Sequence, residues 1–249
     1  MKWLRRPSWF ALLLTVAGAL LFIRLGVWQL HRADEKEVIL RRYAAAENES
    51  PRDFAAVAAK PPINAFARVR VEGEYIAGKL YLLDNPKHDQ RGGVEVYAPF
   101  RPLGGKRLLL VDLGFLPGNG TDQPPQLPAL PTGKQTLQGL YVPAPGVGFE
   151  MGGNALARQV HWPKTTVYLE LPQIAADLGA TVYPQVLAMD ADPTSIYVRE
   201  HTIDFSAMPP ARHRAYAFQW FTFAVAAVVI LLVLHRRRPS KIRTHHEQA

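Results

Sequence analysis

Two long apolar stretches lie near the two ends of the chain and predict two membrane-spanning helices. Residues 215–234 contain no charged side chain, and a helix of this length spans a hydrocarbon core about 30 Å thick. The first stretch, residues 9–23, is shorter and ends at Arg24. Because a long cationic side chain near the end of a span can extend its head group to the interface, we place the predicted helices at residues 9–30 and 214–235.

The first stretch also fits a signal peptide, because a short apolar run follows a basic segment. The small-residue triplet Ala17-Gly18-Ala19, however, lies inside the run, and four more apolar residues follow it. Cleavage at such a position is unfavourable, so an uncleaved membrane anchor is the expected outcome.

Between the two spans the pattern changes to short alternating segments that are typical of β-strands. Turn residues separate them, and they predict strands at residues 67–72, 79–83, 94–100, 107–113, 136–142 and 195–200. The first membrane helix is expected to continue to about residue 47, because good helix formers follow it. A short helix is predicted from Pro172 to Leu178, ended by Gly179. The predicted fold class is α+β, with two transmembrane helices bracketing a mainly antiparallel β-sheet or small β-barrel domain at residues 31–213.

The net charge of +8 comes mostly from the two terminal flanks. Lys2, Arg5 and Arg6 precede the first span, and residues 236–249 carry five Lys or Arg side chains against one acid. By the positive-inside rule these flanks are cytoplasmic, so residues 1–8 and 236–249 are predicted to be cytoplasmic tails. The central domain is then expected in the periplasm of a bacterium, anchored in the inner membrane lipid. This charge distribution predicts no nucleic-acid partner.

Composition and motifs exclude several classes of site. The chain has no cysteine, which excludes thiolate metal centres and disulfides. The local motifs of serine hydrolases, zinc proteases and P-loop proteins are missing. We therefore expect a protein that is not an enzyme.

Two polar and aromatic motifs lie where the predicted helices leave the membrane. The first reads Leu25-Gly26-Val27-Trp28-Gln29-Leu30-His31-Arg32-Ala33-Asp34-Glu35-Lys36, and the second reads His213-Arg214-Ala215-Tyr216-Ala217-Phe218-Gln219-Trp220-Phe221. Helical periodicity places five residues of the first motif on one side of its helix, namely Leu25, Trp28, Gln29, Arg32 and Lys36. The same periodicity predicts a stripe on the second helix that contains His213, Tyr216, Ala217, Trp220 and Ala224.

These motifs resemble the two end motifs of the Surfeit locus protein 1 family, membrane-anchored assembly factors for cytochrome c oxidase. They fit L-G-x-W-Q-x-x-R-x-x-x-K and H-x-x-Y-A-x-Q-W-F at every fixed position. A central segment, residues 111–117, resembles the family pattern V-N-R-G-W-x-P but keeps only its Val, Gly and Pro. We therefore expect a divergent bacterial member. The resemblance implies cytochrome c oxidase subunit I as a partner, with haem a synthase as a further candidate.

The resemblance also implies haem a as a cofactor, either bound or helped into the large oxidase subunit. His213 matches the family histidine proposed for this task, and imidazole is a usual axial ligand of haem iron. We therefore predict that His213 ligates the iron. Cations pair with haem propionates, and this role falls to Arg32 and Lys36, with Arg212 and Arg214 also available. The predicted cofactor-binding set is His213, Tyr216, Trp220, Trp28, Arg32 and Lys36.

Two alternatives remain open from the sequence. A histidine at a membrane boundary can simply cap or anchor a helix end, and Trp with nearby cations is common at any membrane interface. In addition, an aromatic stripe suits helix packing as well as cofactor contact. The alternative function is a non-haem structural chaperone that stabilises an oxidase assembly intermediate.

Overall fold

The computed structural model describes residues 8–60, 66–88, 91–118, 127–145, 156–199 and 208–236. The basic flanks that predict the orientation, residues 1–7 and 237–249, lie outside this part of the chain. The chain divides into two compact units. One contains residues 1–40 and 204–249 and the other contains residues 41–203.

Two long helices make up most of the described part of the first unit, although the last residues of the first helix, 41–47, belong to the second unit. Helix α1 runs from Trp9 to Glu47 and helix α4 from Pro210 to Leu234, so the prediction that the first helix continues to residue 47 is confirmed. Each helix is long and apolar enough to cross a membrane, and only 6% and 11% of their most apolar windows are buried. A core helix of a soluble domain would be mostly buried. The two exposed apolar helices therefore indicate a membrane protein, while the limits of the spans stay predictions.

The second unit is a β-domain, and its described residues form eight strands. They are β1 (Arg52–Asp53), β2 (Ala67–Tyr75), β3 (Tyr81–His88), β4 (Arg91–Pro102), β5 (Leu108–Pro117), β6 (Gln135–Val142), β7 (Lys164–Thr166) and β8 (Val182–Met189). Helix α2 (Phe54–Ala58) follows β1, and helix α3 (Leu171–Leu178) precedes β8. The strand order is β1-β2-β6-β8-β5-β4-β3-β7, and β2 also pairs with β4.

The additional pairing of β2 with β4 closes strands β2, β6, β8, β5 and β4 into a ring. Most neighbours are antiparallel, and the parallel pairs are β1–β2, β3–β7 and β5–β8. The domain is therefore a small, mainly antiparallel barrel, which confirms the predicted α+β class. Alternate residues of the strands point inward and are buried, among them Val69, Val71, Val96, Phe100, Leu109, Val111 and Leu187.

The outer face of the barrel is covered locally by α3 and by the last turns of α1. Ile174 of α3 packs in a cluster with Tyr81 and Tyr97 of the sheet. The predicted end of this helix is confirmed, because Gly179 adopts the left-handed conformation that favours glycine at this position (φ 62°). Tyr43 of α1 packs against Leu140 of β6.

Strands β1, β7 and β8 were not predicted, and one predicted strand is largely absent from the described residues. In strand β8, residues 186–189 form a continuous apolar run after Pro184 and Gln185. The strand is buried between two neighbours, so its sequence does not alternate and gave no strand signal. Pro184 is tolerated because the pairing with β6 begins only at Val186. The prediction of a strand at residues 195–200 was wrong over most of its described length, where Val198 forms only an isolated bridge with Phe115. Glu200 lies outside the described residues.

Candidate functional site

The two motifs meet along a seam between α1 and α4. At one end of the seam the rings of Phe22 and Trp220 stack, with centroids 5.8 Å apart and an interplanar angle of 23°. At the other end Lys36 Nζ donates a hydrogen bond of 2.5 Å to the carbonyl oxygen of Met208. Because residue numbers rise along α1 as they fall along α4, the helices are antiparallel. The seam therefore joins the start of one motif to the end of the other.

Gly26 allows the close approach of the two helices. A Cβ atom built at this position would lie 2.7 Å from Cε1 of Phe221, closer than real carbon contacts allow. Small residues at such positions let membrane helices pack closely. Sequence reasoning recorded Gly26 as part of the motif but did not predict this role, although the small residue in an apolar helix was the signal.

The central contact of the seam joins Gln29 and His213, which are 184 residues apart in the chain. The Nδ1 atom of His213 lies 2.6 Å from Oε1 of Gln29, and both side chains are buried. Since the amide oxygen only accepts, Nδ1–H donates this hydrogen bond and Nε2 keeps its lone pair. The ring nitrogen Nε2 is buried and has no hydrogen-bond partner among the described residues.

A buried nitrogen without a partner costs about 1–3 kcal/mol and requires an explanation. Histidine ligands of metals typically donate one ring N–H to a neighbouring oxygen, which fixes the tautomer and presents the other nitrogen. His213 has this arrangement, with Gln29 as the orienting group. The donor chemistry at His213 thus fits a haem ligand.

The space around His213 is closed. The residue is only 4% exposed, and Ala217, one turn further along α4, is buried in the same seam. A planar macrocycle does not reach Nε2 while α1 and α4 are packed in this way. The residues fit haem in their chemistry, and binding requires the seam to open beside His213.

Phe22, Trp220 and Phe223 form a three-ring cluster lower in the seam. Ring centroids are 5.8–5.9 Å apart in each pair. Trp220 was predicted as a site residue, and its side chain is partly buried within the cluster. Phe22 was missed, because it precedes the first motif in an apolar run without any polar marker.

Trp220 therefore packs against Phe22 of α1 and is partly buried, whereas two other predicted cofactor residues are exposed. Trp28 is 55% exposed and Tyr216 is 41% exposed, so neither lies inside the seam. The structure thus brings His213 and Trp220 together with Gln29, and it leaves Trp28 and Tyr216 on the outside of the helix pair. Their assignment to cofactor binding stays a prediction.

The cations predicted to pair with propionates have local partners. Arg32 forms an exposed ion pair with Glu35 at 2.7 Å, and Arg214 forms one with Glu37 at 2.5 Å. Exposed pairs of this kind contribute only about 0–1 kcal/mol, so their cations can exchange one anion for another at little cost. Lys36 instead holds the backbone just before α4 through its bond to Met208.

A second polar cluster lies on the outer face of the barrel and was not predicted. Tyr97 of β4 lies directly opposite Asp112 of β5, next to a bulge at Leu113. Asp112 is 8% exposed, and its Oδ1 accepts a hydrogen bond from the Gly114 N–H at 2.9 Å. Burial, together with the charge of Asp112 and a hydrogen bond to it, raises the pKa of the Glu95 carboxyl well above its usual range.

The raised pKa favours a neutral Glu95, because a charged Glu95 would be partly removed from water and would lie beside the carboxylate of Asp112. Asp112 occupies the position where the central family pattern has Asn. That departure was the sequence signal for this cluster, but it does not reveal the neighbouring carboxyl. Glu95 lies on β4, two positions before Tyr97, which is the residue opposite Asp112, and only the register of β4 with β5 brings the two carboxyl groups together.

Two surface grooves occur in the described part of the β-domain. The larger, of about 390 Å³, lies between α2 and the turn between β4 and β5, and the smaller, of about 250 Å³, lies beside Arg68 and Arg199. Neither is lined by a residue that the sequence predicted for cofactor binding. No group of three or more His, Asp or Glu side chains that could hold a metal ion occurs within the described ranges.

The comparisons with known proteins support the motif assignment. The model of the SURF1 family matches residues 16–225, which include both motifs and the whole β-domain. A comparison with curated proteins finds no match. The SURF1 family is associated with cytochrome c oxidase assembly. Since the match covers most of the chain, the protein belongs to the SURF1 family.

Proposed function

We propose that this protein is an assembly factor for a haem–copper terminal oxidase, and that it assists haem a binding and insertion into the large oxidase subunit. The observation that carries the proposal is the buried, unpartnered Nε2 of His213, held in place by Gln29. Membership of a family associated with oxidase assembly supports the same conclusion.

In this proposal the residues of the two motifs have distinct roles. His213 is the iron ligand, and Gln29 orients its ring. Trp28, Tyr216 and Trp220 contact the macrocycle, and Arg32 and Lys36 pair with its propionates. When bound, haem a would supply an iron that accepts an imidazole nitrogen as a ligand.

A second candidate is favoured by the closed seam. Because His213 is buried and bonded to Gln29, the two side chains can act simply as a polar clamp between membrane helices. The protein would then be a structural chaperone that stabilises an oxidase assembly intermediate without binding haem. Haem content separates the two candidates.

The test is to co-express the chain with the enzymes of haem a synthesis and to purify it. The Soret absorbance per protein is compared among the native chain, His213→Ala and the matched control His31→Ala, which replaces an exposed histidine of α1. We expect the native chain and His31→Ala to retain haem a and His213→Ala to lose most of it. Equal haem retention in all three would exclude His213 as the ligand, and absence of haem from all three would favour the structural chaperone.

The orientation and partners complete the proposal. We place both termini in the cytoplasm of a bacterium and the β-domain in the periplasm, with oxidase subunit I and haem a synthase as partners. Support comes from the basic flanks. A fluorescent-protein fusion at the C-terminus should fluoresce, and alkaline phosphatase inserted in the β-domain should be active. The reverse pattern would contradict the orientation.

A further inference from the structure

The larger surface groove of the β-domain lies at one end of the barrel, where helix α2 covers the interior. Phe54 and Val57 of α2 are buried in the same apolar cluster as the inward residues of the strands. The other side of the groove is the turn of residues 102–107, which joins β4 to β5. Ligands often bind at the mouths of β-barrels, so the residues around this mouth indicate what binds there.

The two sides of the groove are apolar. The α2 side is formed by small side chains, which are Ala55, Ala58 and Ala59. On the turn, Leu103 is 70% exposed, although its backbone N–H is fixed by a bond of 2.7 Å to the carbonyl oxygen of Glu72. The Gly105 N–H donates a further bond of 2.9 Å to Pro102. An exposed leucine on an ordered turn, beside small side chains, provides a surface on which another apolar side chain can pack.

The same turn contributes two cations to the groove, Lys106 and Arg107. The Cζ atom of Arg107 lies 5.9 Å from the ring centroid of Tyr183. The ring of Tyr183 is held in turn by Phe54, with centroids 4.9 Å apart and an interplanar angle of 81°. A guanidinium placed over an aromatic ring keeps its N–H edge available for a carboxylate, which it can bind through two parallel hydrogen bonds.

The structure offers these two cations no acid. The described residues that line the groove include neither Asp nor Glu, and Lys106 and Arg107 form no ion pair within the described ranges. Elsewhere on the barrel, by contrast, Lys134 pairs with Glu72. Two neighbouring cations without a counter-charge produce a positive potential, which favours an anionic ligand.

We propose that the groove between α2 and the turn of residues 102–107 binds an acidic peptide segment of another protein. A carboxylate of the segment pairs with Arg107 and Lys106. A neighbouring apolar side chain of the segment packs between Leu103 and the alanines of α2. None of these residues belongs to the seam between α1 and α4, so the proposal is independent of haem binding.

The shape and charge of the groove select this ligand. Its volume of about 390 Å³ exceeds that of a small anion, and its apolar sides would leave such an anion without contacts. A second copy of the chain that used the same groove would place Lys106 and Arg107 against the same cations, and like charges at short distance repel. A peptide that carries both a carboxylate and an apolar side chain matches both features.

The test measures peptide binding to the full chain in nanodiscs of phosphatidylcholine by fluorescence anisotropy. The probe is the rhodamine-labelled peptide Gly-Ser-Leu-Asp-Leu-Glu-Leu-Ser-Gly, and the reference peptide has Asn and Gln in place of its acids. We expect the acidic peptide to bind at least about fivefold more tightly, and its affinity to fall as the salt concentration rises.

Two pairs of variants locate the binding site. Ala55 and Ala56 are adjacent and exposed on α2, but only Ala55 lines the groove. We expect Ala55→Glu to weaken binding about tenfold by repulsion and Ala56→Glu, which adds the same charge, to change it less than about twofold. Arg107→Gln should weaken binding about fivefold, and Arg101→Gln, which removes an exposed cation outside the groove, should have little effect. Circular dichroism checks that each variant is folded.

Several results would overturn the proposal. Equal affinity for the acidic and neutral peptides, or equal effects of Ala55→Glu and Ala56→Glu, would show that the groove does not bind the acidic segment. Displacement by inorganic phosphate at the concentration at which the unlabelled peptide displaces the probe would assign the groove to a small anion. Loss of binding in nanodiscs that contain phosphatidylglycerol would assign it to anionic lipid. A native dimer that Ala55→Glu converts to a monomer would assign it to a second copy of the chain.

Discussion

At the scale of single residues, the polar groups with the clearest physical consequences are buried pairs. Gln29 and His213 join the helices, and Glu95 and Asp112 lie side by side on the barrel. Each pair is stable only in one protonation arrangement, since a donor must face an acceptor. Substitutions that change the arrangement without changing the size of the side chain are therefore informative.

Asp112→Asn should make the stability of the protein less dependent on pH. The pKa of Glu95 is raised in the folded state, so folding retains a proton that the unfolded chain releases above its ordinary carboxyl pKa. Stability is then greatest below that ordinary value and falls as the pH rises towards the raised one. In Asp112→Asn the amide can donate to an ionised Glu95, and we expect a gain of about 1 kcal/mol at pH 8 and little change at pH 4.

Urea unfolding of the purified chain in detergent at the two pH values checks this prediction. Glu74→Gln is the control, because Glu74 is exposed on β2. An equal loss of stability with rising pH in the native chain and Asp112→Asn would contradict a contribution of Asp112 to the raised pKa of Glu95.

At the scale of elements, the pairing of α1 with α4 depends on close packing at Gly26. Gly26→Ala places a methyl group against the ring of Phe221, and overpacking of this kind costs about 1–3 kcal/mol. Gly18→Ala is a matched control in the same helix, because nothing lies within 4 Å of its Cβ position. We expect Gly26→Ala, but not Gly18→Ala, to lower the midpoint temperature of thermal unfolding in detergent.

A compensating substitution tests the assignment of the contact. Phe221→Leu removes part of the ring that the new methyl group meets, so Gly26→Ala with Phe221→Leu should be less destabilised than the sum of the single changes. Strict additivity of the two changes would show that Gly26 and Phe221 do not contact each other.

The elements also show what the sequence could and could not predict. Long helices and short alternating strands were predictable, because their periodicity is local. Strand β8 was not, since burial on both faces removed its alternation. The closure of the barrel depends on the pairing of β2 with β4, and register between distant strands is not encoded in any local pattern.

The candidate site shows the same division. Motifs and helical periodicity indicated His213 and Trp220, which do lie in the seam. Periodicity gave the relative positions of side chains on one helix but not the face that meets the other helix. For this reason the roles of Gly26 and Phe22 in the seam were missed. For the same reason Trp28 and Tyr216 were grouped with His213 and Trp220, although they lie outside the seam.

At the scale of the whole molecule, both ends of the chain contribute to one helix pair, and the β-domain lies between them in the sequence. The residues of the two motifs therefore depend on each other, although they are nearly the full length of the chain apart. Loss of either motif should remove the seam and with it the proposed activity in oxidase assembly.

The most direct test of the central claim uses cells that lack this protein and carry either the native chain or His213→Ala. Absorption spectra of their membranes report haem a in the oxidase, and immunoblots report the oxidase polypeptides and the chain itself. We predict that the native chain restores the haem a band, whereas His213→Ala is made at a normal level and leaves the band weak with the oxidase polypeptides present. A full haem a band with His213→Ala would contradict the account.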